Sequence, residues 1–97
     1  MTPLVVAPAA FDELDRLAGF LLAQSAVWAA QTAPLILGAL ESLKSHPLTG
    51  RPVEHGLREL IISRGRTGYV ALYRYDPATD AALLLGVRHQ RERGYVD

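Results

Sequence analysis

The feature that most constrains the fold is a stretch of 24 residues without a charged side chain, from Leu17 to Leu40. An apolar segment of that length could cross a bilayer as a single helix. Five polar or helix-breaking residues divide it into shorter apolar runs: Gln24, Ser25, Gln31, Thr32 and Pro34. We therefore expect two helices that bury more than one face, which indicates a protein partner rather than a membrane.

Length and composition favour one small folded domain over residues 1–97. Hydrophobic residues make up 49% of the 97 residues, which is too many for a disordered chain. The absence of cysteine excludes a disulfide framework and thiolate chemistry. The three histidines lack the spacing of metal ligands, so we expect no metal and no cofactor. Because no signal-peptide pattern begins the sequence, we expect a cytoplasmic protein.

Two helices are predicted in the first half of the chain. The proline-bracketed run 3–8 favours an edge strand, because proline cannot donate to a central ladder. Pro8 then suits the first position of a helix whose apolar residues recur every three or four positions as far as a break at Gln24-Ser25. A second helix is expected to end near Lys44, and it begins either at about Val27 or at Pro34.

Three strands are predicted in the second half, at residues 57–63, 69–76 and 81–89. A hairpin loop at 64–68 and a proline-containing turn at 76–80 separate them, and Gly50-Arg51-Pro52 is read as a turn before the first of them. The predicted order is β-α-α-β-β-β. The fold class is therefore α+β, with a helical hairpin packed on one face of a small antiparallel sheet.

The predicted strands also carry a group of cations, although the net charge of the chain is zero. Alternation puts Tyr69, Tyr73 and Tyr75 on one face, where packing is their expected role. Arg58, Arg74 and either Arg88 or His89 are expected to converge on the face opposite the helices. Arginine pairs with carboxylate or phosphate in a fixed geometry, so this group is a candidate binding surface. For His89, a structural role at a strand end is the alternative.

Several segments together resemble the RelE/ParE superfamily of bacterial toxins. Residues 8–14 (PAAFDEL) look like the start of that family's first helix, and residues 39–52 (ALESLKSHPLTGRP) are similar to the end of its second. Residues 58–60 (REL), 69–74 (YVALYR) and 87–92 (VRHQRE) resemble its strands. The resemblance covers nearly the whole chain, in the family's order.

The resemblance implies the toxin of a type II toxin–antitoxin module, which arrests bacterial growth unless its antitoxin binds it. ParE-like members inhibit DNA gyrase, whereas RelE-like members cut messenger RNA on the ribosome. For either target, the candidate phosphate- or target-binding residues are Arg58, Arg74, Arg88, Arg91 and Arg93. In the RelE-like case the chain would be a metal-independent endoribonuclease. RNA cleavage needs proton transfer and charge stabilisation. The catalytic candidates are then His89, Arg91, Tyr95 and Arg58.

Two departures from the nuclease pattern favour inhibition of gyrase. Val70 stands where the nucleases usually carry an arginine, and the spacing from Arg91 to Tyr95 differs from theirs. Lys44 is also the only lysine. Ribosome-dependent RNA cleavage is the alternative, and a non-toxic member that acts only as an interaction protein is a third.

The antitoxin is the partner that the resemblance implies. A helix laid in a groove needs surplus apolar surface, and the uncharged stretch supplies it. We expect Leu21, Trp28 and Leu37 to contact the antitoxin. The assembly is expected to be either a homodimer or a hetero-oligomer with the antitoxin.

Overall fold

A computed structural model of the chain describes residues 1–64 and 67–89. Strand β1 (Leu4–Val6) leads into two helices, α1 (Pro8–Gln24) and α2 (Ala26–Ser45). A two-residue strand, β2 (Arg51–Pro52), and a short 3₁₀ turn follow. The chain then forms β3 (Arg58–Arg64), β4 (Thr67–Asp76) and β5 (Ala81–His89). The predicted α+β class and the predicted order of helices and strands are confirmed, with one additional strand.

The five strands form one mixed sheet in the order β1-β5-β4-β3-β2. β2 to β5 pair as an antiparallel meander, whereas β1 pairs with β5 in parallel. The predicted antiparallel meander of β3 to β5 is confirmed, and the parallel pairing of β1 makes the whole sheet mixed. The helical hairpin carries the chain across one face, from the β1 edge to the β2 edge. Three reversals then return β5 alongside β1 in the same direction.

The helix boundaries follow local chemistry. The predicted start at Pro8 and the break at Gln24-Ser25 are confirmed. The Ser25 hydroxyl accepts a hydrogen bond from the Trp28 amide at 3.2 Å, which caps α2. Pro34 lies inside α2 at an exposed position, so it neither begins nor ends the helix. Proline has no amide hydrogen, and α2 therefore lacks one backbone hydrogen bond at that turn.

The strand boundaries differ from the prediction by at most two residues at either end. β5 spans the predicted residues, while β4 begins at Thr67 and β3 reaches Arg64. The loop between them is therefore shorter than predicted, and residues 65–66 lie outside the described part of the chain. Arg51 and Pro52, predicted as part of a turn, form β2 at the edge of the sheet. Proline is compatible with that position because an edge strand needs fewer amide donors.

The core lies between the two helices and one face of the sheet. Tyr69, Ala71 and Tyr73 of β4 are fully buried there. The rest of the cluster comes from the helices, β3 and β5, and includes Leu17, Leu21, Ile36, Leu40, Leu43, Ile62, Leu84 and Val87. Among residues 1–64 and 67–89, no helix packs on the other face. No helix in this part of the chain is long and apolar enough to cross a membrane.

Candidate functional site

Strand register fixes which face of the sheet carries each cation. Arg58 lies opposite Tyr73, and Tyr73 lies opposite Leu84. His89 lies opposite Tyr69. Directly opposed residues of neighbouring antiparallel strands point to the same face. Arg58 and His89 therefore share the helix-covered face with the core tyrosines.

Arg74 and Arg88 belong to the open face, which the helices do not cover. Arg74 lies opposite Leu83, and Arg88 lies opposite Val70. The expected convergence of Arg58, Arg74 and a third cation on one face is therefore wrong. The reason is the register of β3, which puts Arg58 opposite Tyr73 on the helix-covered face. On β5, an irregularity at Leu85, which has no partner between the pairs formed by its two neighbours, puts Arg88 and not His89 on the face of Arg74. One extra residue reverses the alternation for the rest of a strand.

Arg58 and His89 lie at opposite ends of the sheet as well as on opposite sides of β4. Their partners on β4 are Tyr73 and Tyr69, four residues apart. Four residues of strand span about 13 Å, and the two strand spacings add about 10 Å across the sheet. The two backbones are therefore about 16 Å apart. Both side chains would have to extend toward one another to meet at one phosphate.

The Arg58 guanidinium is occupied by the loop that joins α2 to β2. Its Nη1 donates to the Leu48 carbonyl at 3.2 Å and to the Gly50 carbonyl at 2.7 Å. Tyr73 holds the same loop, because its hydroxyl donates to the Pro47 carbonyl and accepts from the Gly50 amide, both at 2.8 Å. A Cβ at Gly50 would lie 2.6 Å from the Tyr73 ring. Arg58 and Tyr73 together thus hold the loop of residues 46–50 in place.

His89 and Arg88, at the end of β5, have different surroundings. The His89 ring packs edge-on against the Tyr69 ring, with the ring centres 5.2 Å apart. Arg88 turns to the side of the sheet, where its Nε donates to Glu13 Oε2 of α1 at 3.2 Å. The Arg88 side chain is 46% exposed. Of the two, Arg88 is the cation that is presented to solvent. The other predicted residues of this region, Arg91, Arg93 and Tyr95, lie outside the described part of the chain.

An apolar groove of about 440 Å³ runs between α1 and α2. Leu21 and Leu37, two of the three residues predicted to contact the antitoxin, line it. Alanines make up much of the α2 wall, which keeps the groove open: Ala26, Ala29, Ala30 and Ala33. Trp28 does not line the groove. It lies half-buried against the core, on another side of α2.

A polar cluster at the far end of the sheet was not predicted from the sequence. The carboxylate of Asp80 accepts hydrogen bonds from the Thr2 and Tyr75 hydroxyls, both at 2.8 Å. The hydrogen bond from Thr2, and to a smaller extent the one from Tyr75, holds the pKa of Asp80 below its ordinary value. The bond to Asp80 raises the pKa of Tyr75. The cluster fastens the start of the chain to the β4–β5 turn.

Glu13 and Gly50 are further residues whose importance the sequence did not reveal. Gly50 stands in the quoted Gly-Arg-Pro motif, which was the available signal. Glu13 stands in the segment 8–14, which resembles the family's first helix but gives no sign of its contact with Arg88. Within the described ranges, no group of histidine and acidic residues has the arrangement of a metal site.

Comparison with known proteins gives two matches that span most of the chain. Residues 4–94 match the family model described as the ParE toxin of the type II toxin–antitoxin system parDE. The chain is also similar to a curated protein of Caulobacter vibrioides named Toxin RelE3, with 36% identity over 93 residues. That alignment covers 96% of this chain and 99% of the Caulobacter protein.

Proposed function

Because the chain belongs to the ParE toxin family of type II toxin–antitoxin systems, within the RelE/ParE superfamily, we propose that it arrests bacterial growth by inhibiting DNA gyrase. Its activity is silenced when the cognate antitoxin is bound. The observation that carries the choice of target is the separation of Arg58 from His89 across the sheet. Since gyrase acts on chromosomal DNA, the proposal places the protein in the cytoplasm.

Inhibition by binding suits the described residues better than RNA cleavage does. Cleavage requires a base, an acid and a group that stabilises the phosphate charge, all within hydrogen-bond reach of one phosphate. Arg58 donates to two backbone carbonyls, and its backbone lies about 16 Å from that of His89. An inhibitor needs no such convergence. It needs exposed groups on one surface, such as Arg74 and Arg88 on the open face.

The overall charge also favours a protein target. The chain has ten basic and ten acidic side chains and no net charge. Nucleic-acid binding draws most of its affinity from neutralised phosphates, so it favours a basic surface. A protein surface can instead be recognised through apolar contacts and a few arginine pairs. On the open face, Leu72 and Leu83 are half-buried beside the exposed Arg74.

Ribosome-dependent cleavage of messenger RNA is the second candidate function. It is favoured by the similarity to a protein named RelE3 and by the arginine-rich sequence that follows β5. In that case His89, Arg91 and Tyr95 would act on the RNA, with Arg58 among the basic residues. A non-toxic, degenerate member that acts only as an interaction protein is the remaining alternative.

The antitoxin is proposed to occupy the groove between α1 and α2 with an amphipathic helix. The groove is lined almost entirely by apolar side chains, among them Leu21 and Leu37. Leu22 and Leu37 on its walls are largely exposed in the free chain. A partner helix would cover this surface with apolar side chains at spacings of three and four residues. Asp15 lies on the same side of α1 as Ala18 and Leu22, so basic residues of the partner suit that end of the groove.

The target is tested in two assays run side by side, one with purified toxin and one in cells that express it. A supercoiling assay with purified gyrase should show inhibition that the antitoxin reverses. Primer extension on messenger RNA from arrested cells should show no new cuts at codon positions. The variant Arg74→Ala should weaken the inhibition, whereas Arg16→Ala, on helix α1, serves as the control. Codon-positioned cuts together with uninhibited gyrase would overturn the proposal in favour of the nuclease.

A further inference from the structure

The edge of β5 beyond β1 is closed by a side chain instead of a strand. β1 pairs with β5 only from Ala82 to Leu84, and the Ala7 amide makes a last backbone bond to the Leu84 carbonyl at 2.9 Å. Beyond this point the Glu13 carboxylate takes over. Its Oε1 accepts a hydrogen bond from the Val87 amide at 3.1 Å. Glu13 thus occupies the position that the carbonyl of a neighbouring strand would take.

Gly86 allows the carboxylate to approach this closely. A Cβ at position 86 would lie 2.5 Å from Glu13 Oε1, which is well inside van der Waals contact. No larger residue could stand there without displacing Glu13. Gly86 does not have the positive φ angle that favours glycine. The contact with Glu13 therefore accounts for the small residue at this position.

The second carboxylate oxygen of Glu13 holds Arg88. Oε2 accepts from Arg88 Nε at 3.2 Å, and Glu13 itself is only 20% exposed. Within residues 1–64 and 67–89, contact through Nε leaves the two terminal nitrogens, Nη1 and Nη2, for another ligand. Those two nitrogens form the planar fork that binds carboxylate or phosphate through two parallel hydrogen bonds. An arginine anchored at Nε also loses less side-chain freedom when the fork binds.

We infer that Glu13 is a positioning residue, which holds Arg88 by Nε so that its terminal nitrogens bind a carboxylate of the target protein. The inference rests on the proposed function. A carboxylate of a protein is favoured over the phosphates of a nucleic acid by the balance of charge. The chain has no net positive charge to attract a polyanion.

The inference is tested by Glu13→Gln, Arg88→Gln and the double variant. Glutamine keeps an oxygen for the Val87 amide but removes the charge that holds Arg88. Hydrogen exchange of the Val87 amide and the melting temperature should therefore stay close to those of the wild type in Glu13→Gln. Glu41→Gln is the matched control, because Glu41 is an exposed carboxylate on α2 whose partner is Lys44 at 2.7 Å.

Two readouts of activity separate this inference from the proposed function. Growth arrest in cells does not depend on knowing the target, whereas the supercoiling assay tests gyrase itself. Each single variant should require roughly tenfold more protein for the same effect. The double variant should be no weaker than Arg88→Gln alone, since Glu13 acts through Arg88.

Three results would overturn the inference. Glu13→Gln could retain full growth arrest while Arg88→Gln loses it, in which case Glu13 has only a structural role. The loss of growth arrest in the double variant could equal the product of the two single losses, in which case Glu13 and Arg88 act independently. Purified wild type could bind single-stranded RNA in a manner abolished by Arg88→Gln, so that the ligand is a phosphate. A different outcome is that the variants change growth arrest as expected while the wild type does not inhibit gyrase. That result would refute the choice of gyrase as the target and would leave the role of Glu13 unchanged.

Discussion

The Gly50 amide donates a buried hydrogen bond of 2.8 Å to the Tyr73 hydroxyl, which joins the loop after α2 to the central strand. Tyr73→Phe removes this acceptor and also the donor to the Pro47 carbonyl. The Gly50 amide is then buried without a partner, which costs about 1 to 3 kcal/mol. We expect a loss of unfolding free energy in this range by urea denaturation. Tyr75→Phe is the control. It removes an exposed hydrogen bond to Asp80 and should have a smaller effect.

The same contact predicts that Gly50 accepts no side chain. A Cβ there would lie 2.6 Å from Tyr73 Cε1 and 2.9 Å from the Glu59 carbonyl, which belongs to the backbone. Gly50→Ala should therefore destabilise the protein by about 1 to 3 kcal/mol. At Gly38, inside α2, a Cβ meets nothing within 4 Å. Gly38→Ala should stabilise it by about 0.5 to 1 kcal/mol. Equal effects at both sites, measured by thermal unfolding, would contradict the packing described here.

The groove predicts a variant that loses the antitoxin without losing its fold. Leu37 lines the groove and is 60% exposed, so Leu37→Glu should leave the melting temperature nearly unchanged. It places a charge where the partner buries a leucine, a contact of about 1.5 to 3 kcal/mol. Antitoxin affinity by calorimetry should therefore fall roughly ten- to hundredfold.

The control for the groove is Val27→Glu. Val27 is 67% exposed on the same helix but does not line the groove. Antitoxin binding should be unaffected there. Trp28→Ala should instead lower stability, because Trp28 packs against the core. Equal losses of affinity at Val27 and Leu37 would show that the antitoxin binds elsewhere.

Much of the fold could be predicted from the sequence because its signals are local. Pro8 and Ser25 mark helix boundaries through their own backbone chemistry, and β5 was predicted to the residue from its apolar run. The parallel pairing of β1 could not be predicted in this way. It depends on where the helical hairpin delivers the chain, which is a relation between distant residues.

The arrangement of the cations was predicted less well, because it depends on strand register. Arg58 lies opposite Tyr73, which puts it on the other face from Arg74. Leu85 interrupts the pairing of β4 with β5. The neighbouring Gly86 was the available signal, because a glycine inside a strand often marks a bulge. This irregularity puts His89 on the face of Leu84 and Arg88 on the face of Leu83. The role of Glu13 was hidden, since its contacts to Val87 and Arg88 join residues more than 70 positions apart.

The Asp80 cluster predicts a stability difference that depends on pH. Its hydrogen bonds from Thr2 and Tyr75 keep the pKa of Asp80 below the ordinary value of 3.8. A lowered pKa in the folded state means that the ionised group contributes stability above pH 3.8, and this contribution is lost as the pH falls through the lower folded value. Asp80→Asn should therefore lower the melting temperature at pH 7, and the gap to the wild type should close well below pH 3.8.

Asparagine is the suitable replacement because Asp80 has a positive φ of 48°. Asparagine tolerates that conformation and keeps an acceptor oxygen, so only the charge is removed. Asp76→Asn is the comparison, since Asp76 lies in the same turn and does not bind Thr2. A gap that stayed constant from pH 7 to strongly acidic pH would rule out the ionised carboxylate as its source.

Arg58 offers the sharpest separation of a structural role from a catalytic one. Its Nη1 donates to the Leu48 and Gly50 carbonyls, and Arg58→Met keeps the aliphatic stem while leaving both without this donor. We expect a loss of about 1 to 3 kcal/mol in unfolding free energy. Growth arrest should fall only as far as the folded fraction does. Arg74→Met is the control, because Arg74 is exposed on the open face: it should keep full stability and weaken growth arrest. Should Arg58→Met instead keep full stability and abolish growth arrest, Arg58 would act on the target directly, as the nuclease alternative requires.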